Sequence, residues 1–244
     1  MMRVFCYEWR RRGCQLLALV VLLAILYFAW SQIFDMVLYG VYDTAPFSEW
    51  TWITYLARLS ALLLVYPLYC IGQIYGKKER QTCKLTVSMC MQPSVHMGIK
   101  IGVIATYFLF PLLLCVGIAF LFYAVLFAPV TVVPFRELLL LTAVFCLPIL
   151  LFSMGFSMLL GRTAPGVVYG YMALLVFASF IDLRLPMPVD LLGSSILALG
   201  ESGNLVKGVI AFSLPGTYLV SRAIFTVLGI VMIIFACKLA DKKQ

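Results

Sequence analysis

Few residues in this chain have the type and spacing that chemistry needs. Gly161-Arg162-Thr163-Ala164-Pro165-Gly166 supplies the two glycines of a phosphate loop, GxxxxGK[ST], whose backbone amides cradle phosphates while a lysine reaches them. Val167 and Val168 stand where Lys and Ser/Thr are required, and Pro165 removes an amide, so this segment cannot hold ATP by that route. The single histidine, His96, has no cysteine or carboxylate cluster beside it, which gives no basis for a metal site. HExxH, GxSxG and an intramembrane carboxylate pair are missing, so a membrane protease or lipid hydrolase has no visible machinery. The expectation is a chain that is not itself an enzyme, with no catalytic residue, metal or cofactor of its own.

Two charges inside apolar stretches are the remaining candidates, because a charge in hydrocarbon is costly and is kept for a purpose. Asp35 lies near the far end of the first apolar run and Arg58 near the start of the second. Antiparallel neighbours would bring them to similar depth. They are read as a structural ion pair or as residues lining a substrate path.

The elements that would position these residues follow from composition. Of 244 residues, 64% are hydrophobic and 11% charged, against about a quarter charged in soluble domains. The mean hydropathy is +1.07. Each crossing of a bilayer core of about 30 Å takes about 20 apolar residues, which leaves room for six crossings and short loops. Apolar runs at 16–34, 53–74, 101–127, 138–160, 166–181 and 216–237 are the six spans expected. The whole of 1–244 then forms one all-α integral membrane domain.

The net charge of +8 does not point to nucleic acid, since the basic residues form clusters between apolar runs and no stripe with interleaved aromatics. Arg3, Arg10, Arg11, Arg12, Lys77, Lys78, Arg80, Lys84, Lys100, Arg162, Lys238, Lys242 and Lys243 fall on one side of the six-span plan. Arg58, Arg136, Arg184, Lys207 and Arg222 fall in the other half. The positive-inside rule then puts both termini in the cytoplasm of a chain crossing the plasma (inner) membrane. All eight cysteines lie in spans or in the basic segments, and no CxxC occurs, so free thiols are expected.

Three segments do not cross. Residues 1–15, with Trp9 and the Arg10-Arg11-Arg12 cluster as anchors, have the pattern of a helix lying on the lipid surface. Residues 182–215 hold Pro186, Pro188, Gly193, Gly200, Gly203 and Pro215 around two apolar stretches, 189–199 and 205–212, each half a crossing long. They read as two re-entrant half-helices before the last span, or as a hairpin resting on the surface. The loop 75–100 is long, and Leu85, Met89 and Met97 can share a helical face turned to the cytoplasm, for a protein partner or for anionic lipid.

In this order the elements resemble the permeases of type-2 ATP-binding cassette (ABC) exporters, along nearly the whole chain. That family has an amphipathic connecting helix before the first span, a coupling helix between the second and third, and two re-entrant helices before the sixth. The matching residues here are Phe5 to Arg12, then Lys78-Glu79-Arg80 through Leu85 to Gln92-Pro93-Ser94 and Lys100, then 186–213. Glu79, Pro93 and Ser94 match the family's coupling segment residue by residue, whereas its Gly-Thr pair is missing here. The resemblance implies ATPase coupling through Glu79, Arg80, Leu85, Pro93 and Ser94. It also implies a separate ABC ATPase subunit carrying ATP and Mg, a second permease chain, identical or not, and export of peptide, drug or lipid-like substrates. The reading from another class is a membrane scaffold or sensor subunit with no transport path, which would fill its centre with packed Leu and Phe.

Overall fold

The computed structural model describes residues 2–37, 49–76, 79, 93–126, 135–181, 185–186, 188–193, 195 and 214–241. Seven helices and no strand occur among these residues: α1 (Met2–Gly13), α2 (Leu16–Val37), α3 (Glu49–Ile74), α4 (Pro93–Leu126), α5 (Phe135–Thr163), α6 (Pro165–Phe180) and α7 (Gly216–Asp241). In lipid a backbone must satisfy its own polar groups, and a helix does so within one segment. Five helices are long and apolar enough to cross a membrane: Leu16–Phe34, Glu49–Ile74, Pro93–Val125, Phe135–Thr163 and Gly216–Leu239. The protein is therefore an all-helical, multi-pass membrane protein.

The expected fifth crossing, 166–181, is occupied by α6, whose 16 residues rise about 24 Å and fall short of a full hydrocarbon core. Its start is fixed locally. Ala164 is the sole residue between α5 and α6 and is extended, φ −152° and ψ 124°, as a residue before proline prefers, and Pro165 opens the new helix where its missing amide costs nothing.

Side-chain pairs show how the helices run. Arg58 of α3 meets Gln32 of α2, and Arg12 at the end of α1 meets Cys70 of α3, so α2 and α3 are antiparallel. Tyr55 donates to the Cys115 carbonyl of α4, again antiparallel. Trp52 of α3 donates to both the Leu138 carbonyl at 3.0 Å and Thr142 Oγ1 at 2.9 Å near the start of α5, while Tyr75 packs near Gly161 at its end. Helices α3 and α5 are therefore parallel.

At the centre stands α3, with Leu56, Leu59, Leu63, Leu64 and Leu68 fully buried; a single stripe through Thr54, Arg58, Leu62, Val65 and Tyr69 is half-buried and ends at the exposed Gln73. By contrast, α2 and α7 leave Leu19, Val20, Leu23, Val227, Val231 and Phe235 exposed, as helices facing lipid do. Pro67, Pro111 and Pro148 sit inside α3, α4 and α5 without ending them.

Helices α5 and α7 approach most closely at Gly155 and Gly229. A Cβ on Gly155 would lie 2.7 Å from the Gly229 carbonyl oxygen, and one on Gly229 would lie 2.5 Å from the Leu151 carbonyl carbon. Small residues let backbones touch in membranes, where packing replaces the hydrophobic effect between helices. The two GxxxG spacings in the sequence do not have this role among the described residues. A Cβ on Gly98, Gly166 or Gly170 would meet nothing within 4 Å, and one on Gly102 would meet only Phe5 of α1, at 3.7 Å.

Of the segment 182–215, residues 188–193 form a turn, and Ser195 just beyond it is helical. The Asp190 carboxylate accepts from the backbone amides of Gly193 at 2.8 Å and Ser195 at 2.5 Å, and Gly193 has φ +89°, a backbone that L side chains rarely adopt. The stretch 205–212 lies outside the described residues.

Candidate functional site

One end of the bundle gathers most of the described charge. Glu8, Arg11 and Arg12 come from the last turns of α1, Lys100 from α4, and Glu79 from just beyond the end of α3. Glu8 precedes Arg11 by three residues and Arg12 by four, the spacing that puts all three on one helical face. This face turns inward, with Glu8 and Arg12 buried, while Trp9 and Arg10 stay exposed. The surface anchor expected at Trp9-Arg10-Arg11-Arg12 is thus divided: the last two arginines belong to an internal network.

Glu79 is the hub of that network. Its Oε1 receives Lys100 Nζ at 2.6 Å and stands 3.6 Å from Arg12 Nη2, and its Oε2 receives Arg11 Nη2 at 2.9 Å. Glu8 lies 3.4 Å from Arg12 Nε and 3.7 Å from Arg11 Nη1. The third nitrogen of Arg12, Nη1, donates to the Cys70 carbonyl of α3 at 3.2 Å, so each guanidinium nitrogen has an acceptor. Three cations facing two carboxylates leave the cluster one positive charge in excess, in keeping with a site near anionic headgroups.

Burial alone would push the Glu79 carboxyl up. The Lys100 hydrogen bond and the charges of Lys100, Arg11 and Arg12 outweigh this and hold it below the ordinary value of 4.5. It stays ionised, as the hub of three cations must.

Tyrosines fasten the same corner from the apolar side. Tyr66 of α3 donates to the Arg12 carbonyl at 2.6 Å, and Tyr107 of α4 donates to the Trp9 carbonyl. These carbonyls belong to the last turns of α1, and that of Arg12 also accepts the Gln15 amide at 3.3 Å. The Trp9 and Tyr107 rings stack, nearly coplanar, 6.2 Å between centroids. At the same end, Arg162 in the last turn of α5 donates to the carbonyls of Ala236 and Leu239 in the last turns of α7, so the end of α7 lies at the end of the bundle that holds α1.

Of the residues singled out in the sequence, Glu79 lies in this network and Pro93 and Ser94 open α4, partly buried. Arg80 and Leu85 lie outside the described residues. Asp35 falls in the last turns of α2, with its side chain outside the described set, and Arg58 donates to Gln32 Oε1 at 2.9 Å, one turn before it on α2. Glu8, Tyr66 and Tyr107 were not singled out. The Glu8-to-Arg12 spacing is a legible signal, but the tyrosines carry none. Among the described residues no group of three His, Cys, Asp or Glu converges as metal ligands, and Cys6, Cys14, Cys70, Cys115 and Cys146 are free thiols.

This arrangement binds parts of the chain to one another and offers no nucleophile or proton relay. What it does mechanically is join both ends of the segment 79–100 to the helix that precedes the first crossing. No protein-family model, no curated protein and no solved structure matches the chain.

Proposed function

We propose that this chain is the membrane permease subunit of an ATP-driven exporter of the type-2 ABC kind, working with a separate ATPase and a second permease chain. The observation that supports this reading is the Glu79 hub. The stretch 78–94 is the one whose residues resemble a coupling helix, and Glu79 within it is locked to Lys100 of α4 and to α1. A push on that segment passes at once to α1, α3 and α4 through short charged contacts, and it is not absorbed in a loose loop. ATP binding to the partner would supply the differential affinity that shifts the permease between two states. The chain itself carries no ATP site and acts as no enzyme. On this reading it crosses the membrane six times, with α6 as a short fifth crossing and the charged end in the cytoplasm.

A path for substrate would not run through the middle of one chain, because the leucines of α3 fill it. It would run along the margin of α3 and α6, where Tyr69, Gln73 and Tyr169 form a polar aromatic strip next to the second chain. Gln73 Nε2 donates to Tyr69 Oη at 3.1 Å, and the Tyr69 and Tyr169 rings are 6.2 Å apart. Peptide, drug or lipid-like substrates suit such a strip. The packed leucine centre is also what the scaffold or sensor reading requires.

The two readings part on partners. The chain is purified from its native membrane in mild detergent, and the proteins that stay bound are identified by mass spectrometry. The same is done for Glu79→Ala and Leu85→Asp, the second of which leaves the charged network intact. Co-purification of an ATPase with a phosphate loop, lost in both variants, carries the permease reading. If no ATPase accompanies the wild-type chain, that reading fails and the scaffold takes its place.

A further inference from the structure

At the other end of the bundle from Glu79, a second buried charge lacks acceptors for part of its donor set. Arg222 lies six residues after Gly216, about 9 Å into α7, and is 2% exposed. Its Nη1 donates to the Leu191 carbonyl at 2.6 Å, and its guanidinium carbon stands 4.9 Å from the Phe145 ring centroid and 4.5 Å from that of Tyr218. Its Nε and Nη2 are buried and have no hydrogen-bond partner among the described residues. The same is true of the Tyr218 and Ser195 hydroxyls. The Tyr218 hydroxyl lies beside the guanidinium. Asp190, the described carboxylate of this corner, is spent on the amides of Gly193 and Ser195.

The unfilled positions are specific. Nε and Nη2 form the edge of a guanidinium that presents two parallel N–H groups, the fork that matches a carboxylate or phosphate. Rings against its faces hold the group in orientation and contribute a cation–π attraction, but they do not replace acceptors on that edge. Leaving such an edge bare in a low-dielectric site is strongly unfavourable. Leu219, three residues before Arg222 on the same helix, is exposed and offers an apolar surface on the adjoining face, where an alkyl chain could run.

We propose that the Arg222 fork, with the Tyr218 hydroxyl beside it, binds the acidic head, carboxylate or phosphate, of a membrane amphiphile. The site is independent of the transport reading and holds equally for a scaffold. Its ligand is defined by one acidic oxygen pair for the fork and one apolar tail for the neighbouring surface of α7.

The test uses the purified full-length chain in neutral detergent, with native mass spectrometry for bound lipid and thermal unfolding for stability. Oleate, phosphatidylglycerol and inorganic phosphate are titrated separately. Oleate or phosphatidylglycerol should raise the unfolding temperature in a saturable way and remain bound in a one-to-one complex, whereas inorganic phosphate should do neither. Arg222→Lys keeps the charge but loses the fork and should weaken binding about tenfold or more. Tyr218→Phe keeps the ring beside the guanidinium and removes only a hydroxyl, so it serves if the arginine variant does not fold, and it too should weaken binding. The proposal is overturned if neither amphiphile binds, if both variants bind as the wild type does, or if inorganic phosphate does as well as either amphiphile. It also falls if Glu201→Gln destabilises the ligand-free chain as much as Arg222→Gln does, since the fork would then be closed by the chain's own carboxylate.

Discussion

Lys100 Nζ stands 2.6 Å from Glu79 Oε1 across 21 residues of sequence, and this contact closes the segment between α3 and α4 at its base. Arg11 and Arg12 reach the same carboxylate from α1, so a single side chain ties three helices. Removing it would leave the buried Lys100 without its carboxylate and Arg12 with only Glu8 and the Cys70 carbonyl.

Glu79→Gln is therefore expected to cost about 3 to 5 kcal/mol, the range for breaking a buried pair by deleting one partner. The Arg11 contact adds little to this, because that side chain is 38% exposed and screened by solvent. Lys100→Met should cost a similar amount, and the double variant less than the sum of the two. A double-mutant cycle read from thermal unfolding in detergent checks this; a sum of the two single effects would show that the residues do not act as a pair.

The pH dependence follows from the lowered titration of Glu79. A carboxyl held below 4.5 in the folded state contributes its full stability above that value and loses it as pH falls through the lower, folded value. The difference in unfolding temperature between wild type and Glu79→Gln should stay constant from about pH 8 to about pH 5 and shrink only below the ordinary carboxyl range. A difference that already fades near neutral pH would mean that the cations do not hold the carboxylate.

The α5–α7 crossing makes a separate prediction. At Gly229 an added Cβ would meet the Leu151 and Phe152 backbone at 2.5 to 2.7 Å, and backbone cannot move aside as a side-chain tip can. Gly229→Ala should lower stability by more than the 1 to 3 kcal/mol usual for overpacking, or abolish folded expression, whereas Gly166→Ala, with open space around it, should be neutral. Expression and elution of the two variants on a sizing column in detergent distinguish them.

Sidedness can be read from a native thiol. Cys6 and Cys14 are exposed near the charged end of the bundle. In a variant keeping Cys6 alone, a membrane-impermeant maleimide should label it only after sealed cells are permeabilised. Labelling of intact cells would invert the topology argued from the basic clusters.

Trp52 offers a measure of how the far end is held. It is 2% exposed and its indole nitrogen serves two acceptors on α5. Trp52→Phe retains an aromatic ring but loses both bonds, with an expected cost of about 1 to 2 kcal/mol beyond repacking. Unfolding of the variant in the same detergent measures it.

The helical, membrane-crossing character of this protein is written in its sequence, since a run of apolar residues near bilayer length can only satisfy its backbone as a helix there. The positions of α2 to α5 and α7 follow from that rule alone. The Glu8–Arg12 spacing is also local and legible. The Glu79 hub was not, because its partners come from residues 11, 12 and 100, and no periodicity relates them. Likewise the basic run at Arg10 to Arg12 reads as a lipid anchor, and only packing decides that Arg12 turns inward while Arg10 stays out. The GxxxG spacings name glycines that touch little, and the true contact joins single glycines from α5 and α7, far apart in the chain. Hydrophobic length is a property of one segment, whereas a charge or a glycine acquires its role from whichever helix lies opposite, and that is settled only when the helices pack.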